Sequence, residues 1–258
     1  MKIFVNETAE KLGENAAIVI ADVIRRAIGR KGEARIVLST GASQFSTISA
    51  LIRQDINWAK VTMFHLDEYI GLSESHPASF RKYLKERFVS QVPLKRAVFV
   101  DGEKDPAEMI KYLTDAIREA PIDAGVIGIG VNAHIAFNDP PADFKTEESF
   151  MIVNLDEQCK KQQVGEGWFA SVNDVPKSAI TMTPHQIMSC ECIVSAVPYA
   201  VKAQAIKLTL EAAAADPMIP ATLLKTHRNF SLYLDKESAS ACRQEVLRAC
   251  KAEFVQNI

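Results

Sequence analysis

Three short segments carry side chains able to move protons or hold an anion. Phe64-His65-Leu66-Asp67-Glu68-Tyr69 sets two adjacent carboxylates just past an apolar run. Acids enclosed without purpose are costly; in a cleft, partial burial moves a carboxyl toward the range of a general base. Two acids in an exposed turn are the plainer alternative. Gly128-Ile129-Gly130-Val131-Asn132-Ala133-His134-Ile135-Ala136-Phe137-Asn138-Asp139 places a histidine between Asn132 and Asp139, past a glycine-rich stretch. Imidazole among polar groups can act as an oriented acid or base near neutral pH, and the glycines permit close approach by a ligand or a neighbouring strand. Ser39-Thr40-Gly41-Ala42-Ser43 offers hydroxyls and backbone N–H groups suited to a phosphate. The same residues also serve plain helix capping. The loop lacks both the Gly-Lys-[Ser/Thr] of a nucleotide loop and the GxGxxG of a dinucleotide fold.

All three segments follow short apolar runs that read as strands. Arg35 to Leu38, Val61 to His65 and Asp123 to Gly130 lead into them, and Ala97 to Val100, Ala179 to Met182, Cys192 to Ala196 and Phe230 to Leu234 are further strands. The Asp123 to Gly130 run is continuously apolar, as in a strand covered on both faces. Helix-period stretches alternate with these strands: Ala9 to Gly29 with Thr8 as N-cap, Pro77 to Phe88, Pro106 to Glu119, Tyr199 to Ala214 and Lys236 to Phe254. A polar loop from Asn132 to about Glu148 is expected between them. Such alternation implies an α/β fold with a mainly parallel sheet, and ligands of such sheets sit beyond the carboxyl ends of the strands.

Composition narrows the function. The chain has 258 residues, 48% hydrophobic and 24% charged, the balance of a globular protein. At roughly 150 residues per domain this allows one large domain or two small ones; with no repeat or Pro/Gly-rich linker, residues 1–258 read as a single domain. Lys+Arg of 30 against Asp+Glu of 32 leaves a net charge of −2, which argues against a duplex nucleic-acid partner. The opening Met1 to Glu7 is too short an apolar run for a signal-peptide core. No stretch approaches the roughly 18 apolar residues of a membrane span. Five cysteines without a CxxC pair suggest reduced thiols and a cytoplasmic protein.

Together the segments resemble the glucosamine-6-phosphate deaminase (isomerase) family. The carrying residues are Ser39 to Ser43, Leu66-Asp67-Glu68-Tyr69-Ile70-Gly71-Leu72 with His76-Pro77, Gly130 through Pro140, Asp174 to Thr181, Lys202-Ala203 and Thr226-His227, in family order across nearly the whole chain. The sister 6-phosphogluconolactonases typically carry Asp-Glu-Arg and His-Thr-Ala-Ser where this chain has Asp-Glu-Tyr and His-Ile-Ala-Phe. The resemblance implies a Rossmann-like three-layer α/β sandwich. It also implies an amino-sugar-6-phosphate deaminase, with Asp67 as base at C2, His134 assisting ring opening, and Asn132 and Asp139 as its partners. Ser39, Thr40, Gly41, Ala42, Ser43 and Lys202 correspond to phosphate-binding positions. The reaction calls for no metal and no organic cofactor, and the partner is a small sugar phosphate. The family includes monomers and hexamers, so a homo-oligomer stays open.

The chain also departs from the family. Asn132 stands where many members have Asp; an amide cannot hold an imidazolium by charge, but its carbonyl can accept a hydrogen bond and orient the ring. Asp139 replaces a longer Glu. The family's active-site arginine, expected near Gly165-Glu166-Gly167-Trp168, has no basic match, leaving Lys160, Lys161 or Arg228 as substitutes. The basic residues of the family's allosteric site lack matches between Phe144 and Leu155, so activation by an N-acetylated sugar phosphate is not expected. Rival readings are a galactosamine-6-phosphate deaminase, a 6-phosphogluconolactonase and a non-catalytic sugar-phosphate sensor.

Overall fold

The computed structural model describes residues 1–165, 167–250 and 252–255. The first half runs β1 (Lys2–Asn6), α1 (Ala9–Lys31), β2 (Ala34–Leu38), α2 (Phe45–Leu51), β3 (Val61–His65), β4 (Asp67–Tyr69), α3 (Phe80–Leu84), β5 (Arg96–Val98), α4 (Pro106–Arg118) and β6 (Ala124–Val126). The second half runs β7 (Phe150–Asn154), α5 (Glu157–Gly165), β8 (Ser178–Met182), α6 (Pro184–Met188), β9 (Cys192–Val197), α7 (Ala203–Glu211), β10 (Phe230–Asp235), α8 (Gln244–Ala249) and β11 (Glu253–Phe254).

Among the described residues eight strands form one parallel sheet in the order β11-β1-β10-β9-β6-β2-β3-β5. From β2 the chain steps outward through β3 to β5. It then returns to the far side of β2 as β6 and steps outward the other way through β9 and β10. The reversal between β2 and β6 is the topological switch point, where the loops above the strands diverge and leave a crevice. A smaller antiparallel sheet, β4-β8-β7, stands beside this end of the molecule.

Both faces of the parallel sheet are buried, and the strands alternate between two cores. Ile36 and Leu38 join Leu12, Ala16, Ile20 and Ile24 of α1 on one face, while Val37 and Phe64 join Met109, Leu113 and Ile117 of α4 on the other. Each fully buried Leu or Ile contributes about 1.5–3 kcal/mol. Helix α1 begins as expected, with Thr8 accepting from the Lys11 N–H, but it runs past the expected stop at Gly29 and ends at Lys31, before Gly32 in a left-handed conformation. The α/β layering is that of a mainly parallel sheet flanked by helices. No helix among the described residues is long and apolar enough to cross a membrane.

Other expectations change as well. The chain between Lys236 and Phe254 is not one helix: Ser238 and Asp235 exchange side-chain and backbone hydrogen bonds that hold a turn, and only Gln244–Ala249 is helical. Local side-chain bonding of this kind competes with helix formation. The glycine-rich strand is regular only over Ala124–Val126, after which the backbone turns toward His134. Lys2–Asn6 and Phe150–Asn154 are strands that the pattern did not announce, each ordered by pairing with a distant strand.

Candidate active site

The loops after β2, β3, β6 and β9, four adjacent strands, border one cleft of about 220 Å³. Ser39 to Ser43, Asp67, His134 and Lys202 all line it, so residues spread over more than half the chain converge at the switch point.

On the β2 side, Gly41 adopts φ +97°, which its missing Cβ permits. This turns the chain into a short 3-10 segment, Ala42–Gln44, that leads into α2. Ser39, Thr40 and Ser43 line the cleft here, and the Tyr83 hydroxyl donates to the Gly41 carbonyl at 2.9 Å, which pins the turn. Gln44 is fully buried and donates to the Ala196 carbonyl at 3.1 Å, tying the loop to β9. Lys202 ends a 3-10 turn after β9 and is 8% exposed, with its side chain in the cleft wall.

The adjacent acids part company because they sit on a strand. Successive side chains of β4 point to opposite faces. Asp67, opposite Thr181 of β8, faces the cleft; Glu68 faces away and is fully buried beneath α3. Burial, with the neighbouring Glu68 carboxylate, pushes the Asp67 carboxyl up to about 8, against a hydrogen bond from the Phe137 backbone. His65, two residues earlier at the end of β3, is fully buried and held neutral, its ring pushed down to about 3 by burial and by Arg81.

His134 is delivered by a strained turn. The Gly130 N–H donates to the His134 carbonyl at 2.9 Å, and Ala133 and Ala136 on either side have φ of 65° and 52°. Non-glycine residues there cost about 1–3 kcal/mol each and persist where surrounding structure imposes them. A Cβ on Gly130 would lie 2.2 Å from the imidazole ring, so glycine there makes room for the histidine. The ring Nδ1 lies 3.0 Å from Oδ1 of Asp139. Burial alone would raise the Asp139 carboxyl, but its contacts with His134, Asn132 and Cys159 outweigh that and hold it below the ordinary carboxylate range.

Asn132 does not touch the ring through its carbonyl, as its sequence position suggested. That oxygen accepts from the His134 backbone N–H at 3.1 Å, and the amide donates to Asp139 at 2.9 Å. Asn132 therefore orients the carboxylate that meets the histidine. Asn132 and Asp139 stand behind His134 rather than in the cleft wall.

None of the proposed substitutes for the missing arginine lines the cleft. Lys160 pairs with Glu157 on α5 at 3.5 Å. Lys161 is likewise absent from the lining. Arg228 lies at the opposite end of the sheet with Arg26 and Arg30. Glu166 lies outside the described residues. The α5 segment instead contributes Gln163 and Trp168, and Phe80 and Tyr199 complete parts of the wall. Trp168, one of only two tryptophans, is the composition signal that marks this segment. Tyr199, at φ 79°, is a second strained residue, held by the Asp235 carboxylate accepting from its N–H at 2.9 Å.

The arrangement sets a carboxyl that ionises late, an imidazole backed by a carboxylate, and a loop of small and hydroxyl residues with a lysine around one small cleft. That set suits proton transfer at carbon and oxygen on an anionic small molecule.

Known proteins place the chain in one family. The family model for glucosamine-6-phosphate isomerases/6-phosphogluconolactonase matches residues 7–233. Glucosamine-6-phosphate deaminase from Lactobacillus delbrueckii subsp. bulgaricus is 34% identical over 244 residues, 93% of this chain and 99% of that relative. Glucosamine-6-phosphate deaminase 1 of Bacillus subtilis is 33% identical over 250 residues, again 93% of this chain and 99% of the relative. The solved structure of a monomeric glucosamine-6-phosphate deaminase matches with a TM-score of 0.85 at 30% identity, covering 93% of this chain and 100% of its own. A 6-phosphogluconolactonase from Thermotoga maritima, at 15% identity and a TM-score of 0.75 over 91% of this chain and 99% of its own, shares the fold. With its parallel sheet, its switch-point cleft and these relatives, the chain belongs to the glucosamine-6-phosphate isomerase/6-phosphogluconolactonase family of enzymes.

Proposed function

We propose that this enzyme converts glucosamine 6-phosphate and water to fructose 6-phosphate and ammonia. The observation that carries the reading is the convergence of Asp67, the His134–Asp139 pair and the Ser39–Ser43 loop with Lys202 on one cleft. The phosphate sits on the loop and Lys202, and this remote binding holds the reacting carbons beside the acid–base groups. His134 moves a proton between the ring oxygen and the anomeric hydroxyl, opening the pyranose. Asp67 takes the proton from C2, the C2 electrons move into the C1–C2 bond, and the C1 oxygen is protonated to give an enolamine. Reprotonation at C1 leaves a C2 ketimine. Water adds to C2, the carbinolamine collapses, and ammonia leaves with a proton.

Asp67 must be ionised to act as base. The substrate carries an ammonium group at C2, the carbon whose proton Asp67 removes, and a positive charge at that distance favours the carboxylate. Substrate binding thus helps generate the base it needs.

Coupled ammonia detection with glucosamine 6-phosphate and galactosamine 6-phosphate in parallel tests the assignment. Ammonia release with the higher kcat/KM for glucosamine 6-phosphate is expected. A preference for the C4 epimer corrects the substrate, and hydrolysis of 6-phosphogluconolactone with no ammonia from either amino sugar overturns the reading.

A further inference from the structure

The residue beside the base is held more elaborately than the base itself. The Glu68 carboxylate is fully buried and receives three hydrogen bonds: from the Tyr69 N–H at 3.0 Å on Oε1, and from the Ser79 hydroxyl at 2.9 Å and the Arg81 N–H at 2.8 Å on Oε2. The Arg81 Nε lies 3.6 Å from Oε2. Arg81 is itself only 4% exposed and is fixed by ion pairs to Asp101 and to Glu103, the latter at 2.8 Å, and by donation to the Leu72 carbonyl at 3.1 Å. A helix cap needs one acceptor; this one uses both carboxylate oxygens and a buried guanidinium.

We propose that Glu68, anchored by Arg81, is the positioning residue of the active site: it fixes the direction of β4 and thereby the base, and its buried negative charge sets the pH at which Asp67 becomes competent. This inference rests on the reading of Asp67 as the base.

The physical ground is the coupling of two neighbouring acids. Burial raises the Glu68 carboxyl and its hydrogen-bond donors offset that only in part; acceptance on both oxygens, with the Arg81 guanidinium 3.6 Å away, is the pattern that fits an ionised carboxylate. The first charge of the pair therefore rests on Glu68, and Asp67 ionises second, against it. The other groups around Asp67 do not substitute for Glu68. His65 of β3 is neutral, Thr181 of β8 is uncharged, the Cys159 thiol of α5 is held protonated by burial and nearby acids, and His134, backed by Asp139, and Lys202 stand in the same cleft wall. Glu68 is the negative charge adjoining Asp67 along β4. Around Arg81, the acids Glu74, Asp101 and Glu103 and the lysine Lys85, paired with Glu74, complete the charged set.

The pH dependence of kcat/KM reports ionisation of the free enzyme. In the wild type its rising limb is expected near pH 8, where Asp67 ionises. Glu68→Gln removes the charge and moves that limb down by about 1 pH unit or more, with a lower plateau from disturbed positioning. Glu68→Asp keeps the charge and keeps the limb near 8 while lowering kcat. Arg81→Gln strips the counter-charge from Glu68 and moves the limb up. A merely structural cap would lower thermal stability in all three variants and leave the limb where it was, and that result overturns the proposal. An infrared carboxylate titration of the wild type, with Asp67→Asn as blank, needs no Glu68 variant: Asp67 ionising near pH 4 would also overturn it. Retained turnover in Asp67→Asn would instead remove the base assignment, while the infrared titration still reads the coupling of the two acids.

Discussion

At the residue scale, the pair Asp67-Glu68 shows how adjacency in sequence becomes a division of labour. A strand has period two, so neighbours face opposite ways, and β4 sends one carboxyl to the cleft and the other beneath α3. The cleft-facing acid is displaced from 3.8 to about 8 by burial and by its neighbour. Its folded value exceeds its unfolded one, so between those limits the native state holds a proton that the unfolded chain has released. Stability from this group is complete below about pH 4 and is lost as pH rises toward 8. Asp67→Asn is expected to lower kcat by about 10²–10⁴-fold and to raise the melting temperature at pH 7, with little gain at pH 4. Steady-state ammonia assays and thermal melts at both pH values check this. Unchanged turnover, or a gain in melting temperature of equal size at pH 4, would contradict it. The presence of two acids near the site was legible in the sequence. Which one faces the ligand was not, because nothing local announced the three-residue strand that sets their phase; it exists through pairing with β8 more than a hundred residues later.

At the element scale, glycines and turns do work that apolar patterning hides. The run from Asp123 to Gly130 looks like one strand, yet β6 ends at Val126 and the remaining glycines form the approach to His134. Gly130→Ala is expected to push the imidazole aside, since the added Cβ would lie 2.2 Å from it. Overpacking of this kind costs about 1–3 kcal/mol, and a misplacement of about 1 Å can cost 10²-fold in rate. A fall in kcat of about that size, with KM for the sugar phosphate little changed, is the expected result; wild-type kcat would show that the ring has room to move. The α5 segment carries the opposite lesson. The family resemblance pointed to a lost arginine and to Lys160 or Lys161 in its place, whereas the helix turns Gln163 inward and leaves Lys160 paired with Glu157. Helical phase decided that, and with so few apolar residues the segment offers little pattern from which to read it.

At the scale of the whole molecule, the strand order explains why one cleft exists. β2 and β6 leave the sheet centre in opposite connection directions, and their loops part to open the crevice that β3 and β9 then furnish. A loop of backbone N–H groups with Lys202 beside it should take inorganic phosphate without the sugar. Phosphate at about 100 times its dissociation constant stabilises by about 2.7 kcal/mol, a rise of several degrees in melting temperature at this chain length. Lys202→Gln should lose most of that rise, with chloride at matched ionic strength as control. An equal rise in the variant would remove Lys202 from the anion site.

By itself the sequence determined the alternation of buried strands and amphipathic helices, the N-cap of α1, and the three chemical segments, because these follow from local periodicity and residue type. It also carried the family resemblance on which the roles of those segments were first assigned. Only the tertiary structure decided that Asp139 rather than Asn132 meets the His134 ring, that Glu68 turns away from the cleft to Arg81, and that Arg228 sits at the far end of the sheet. Each of those outcomes depends on strand phase, loop path or strand order, and these are set by contacts between residues far apart in the chain.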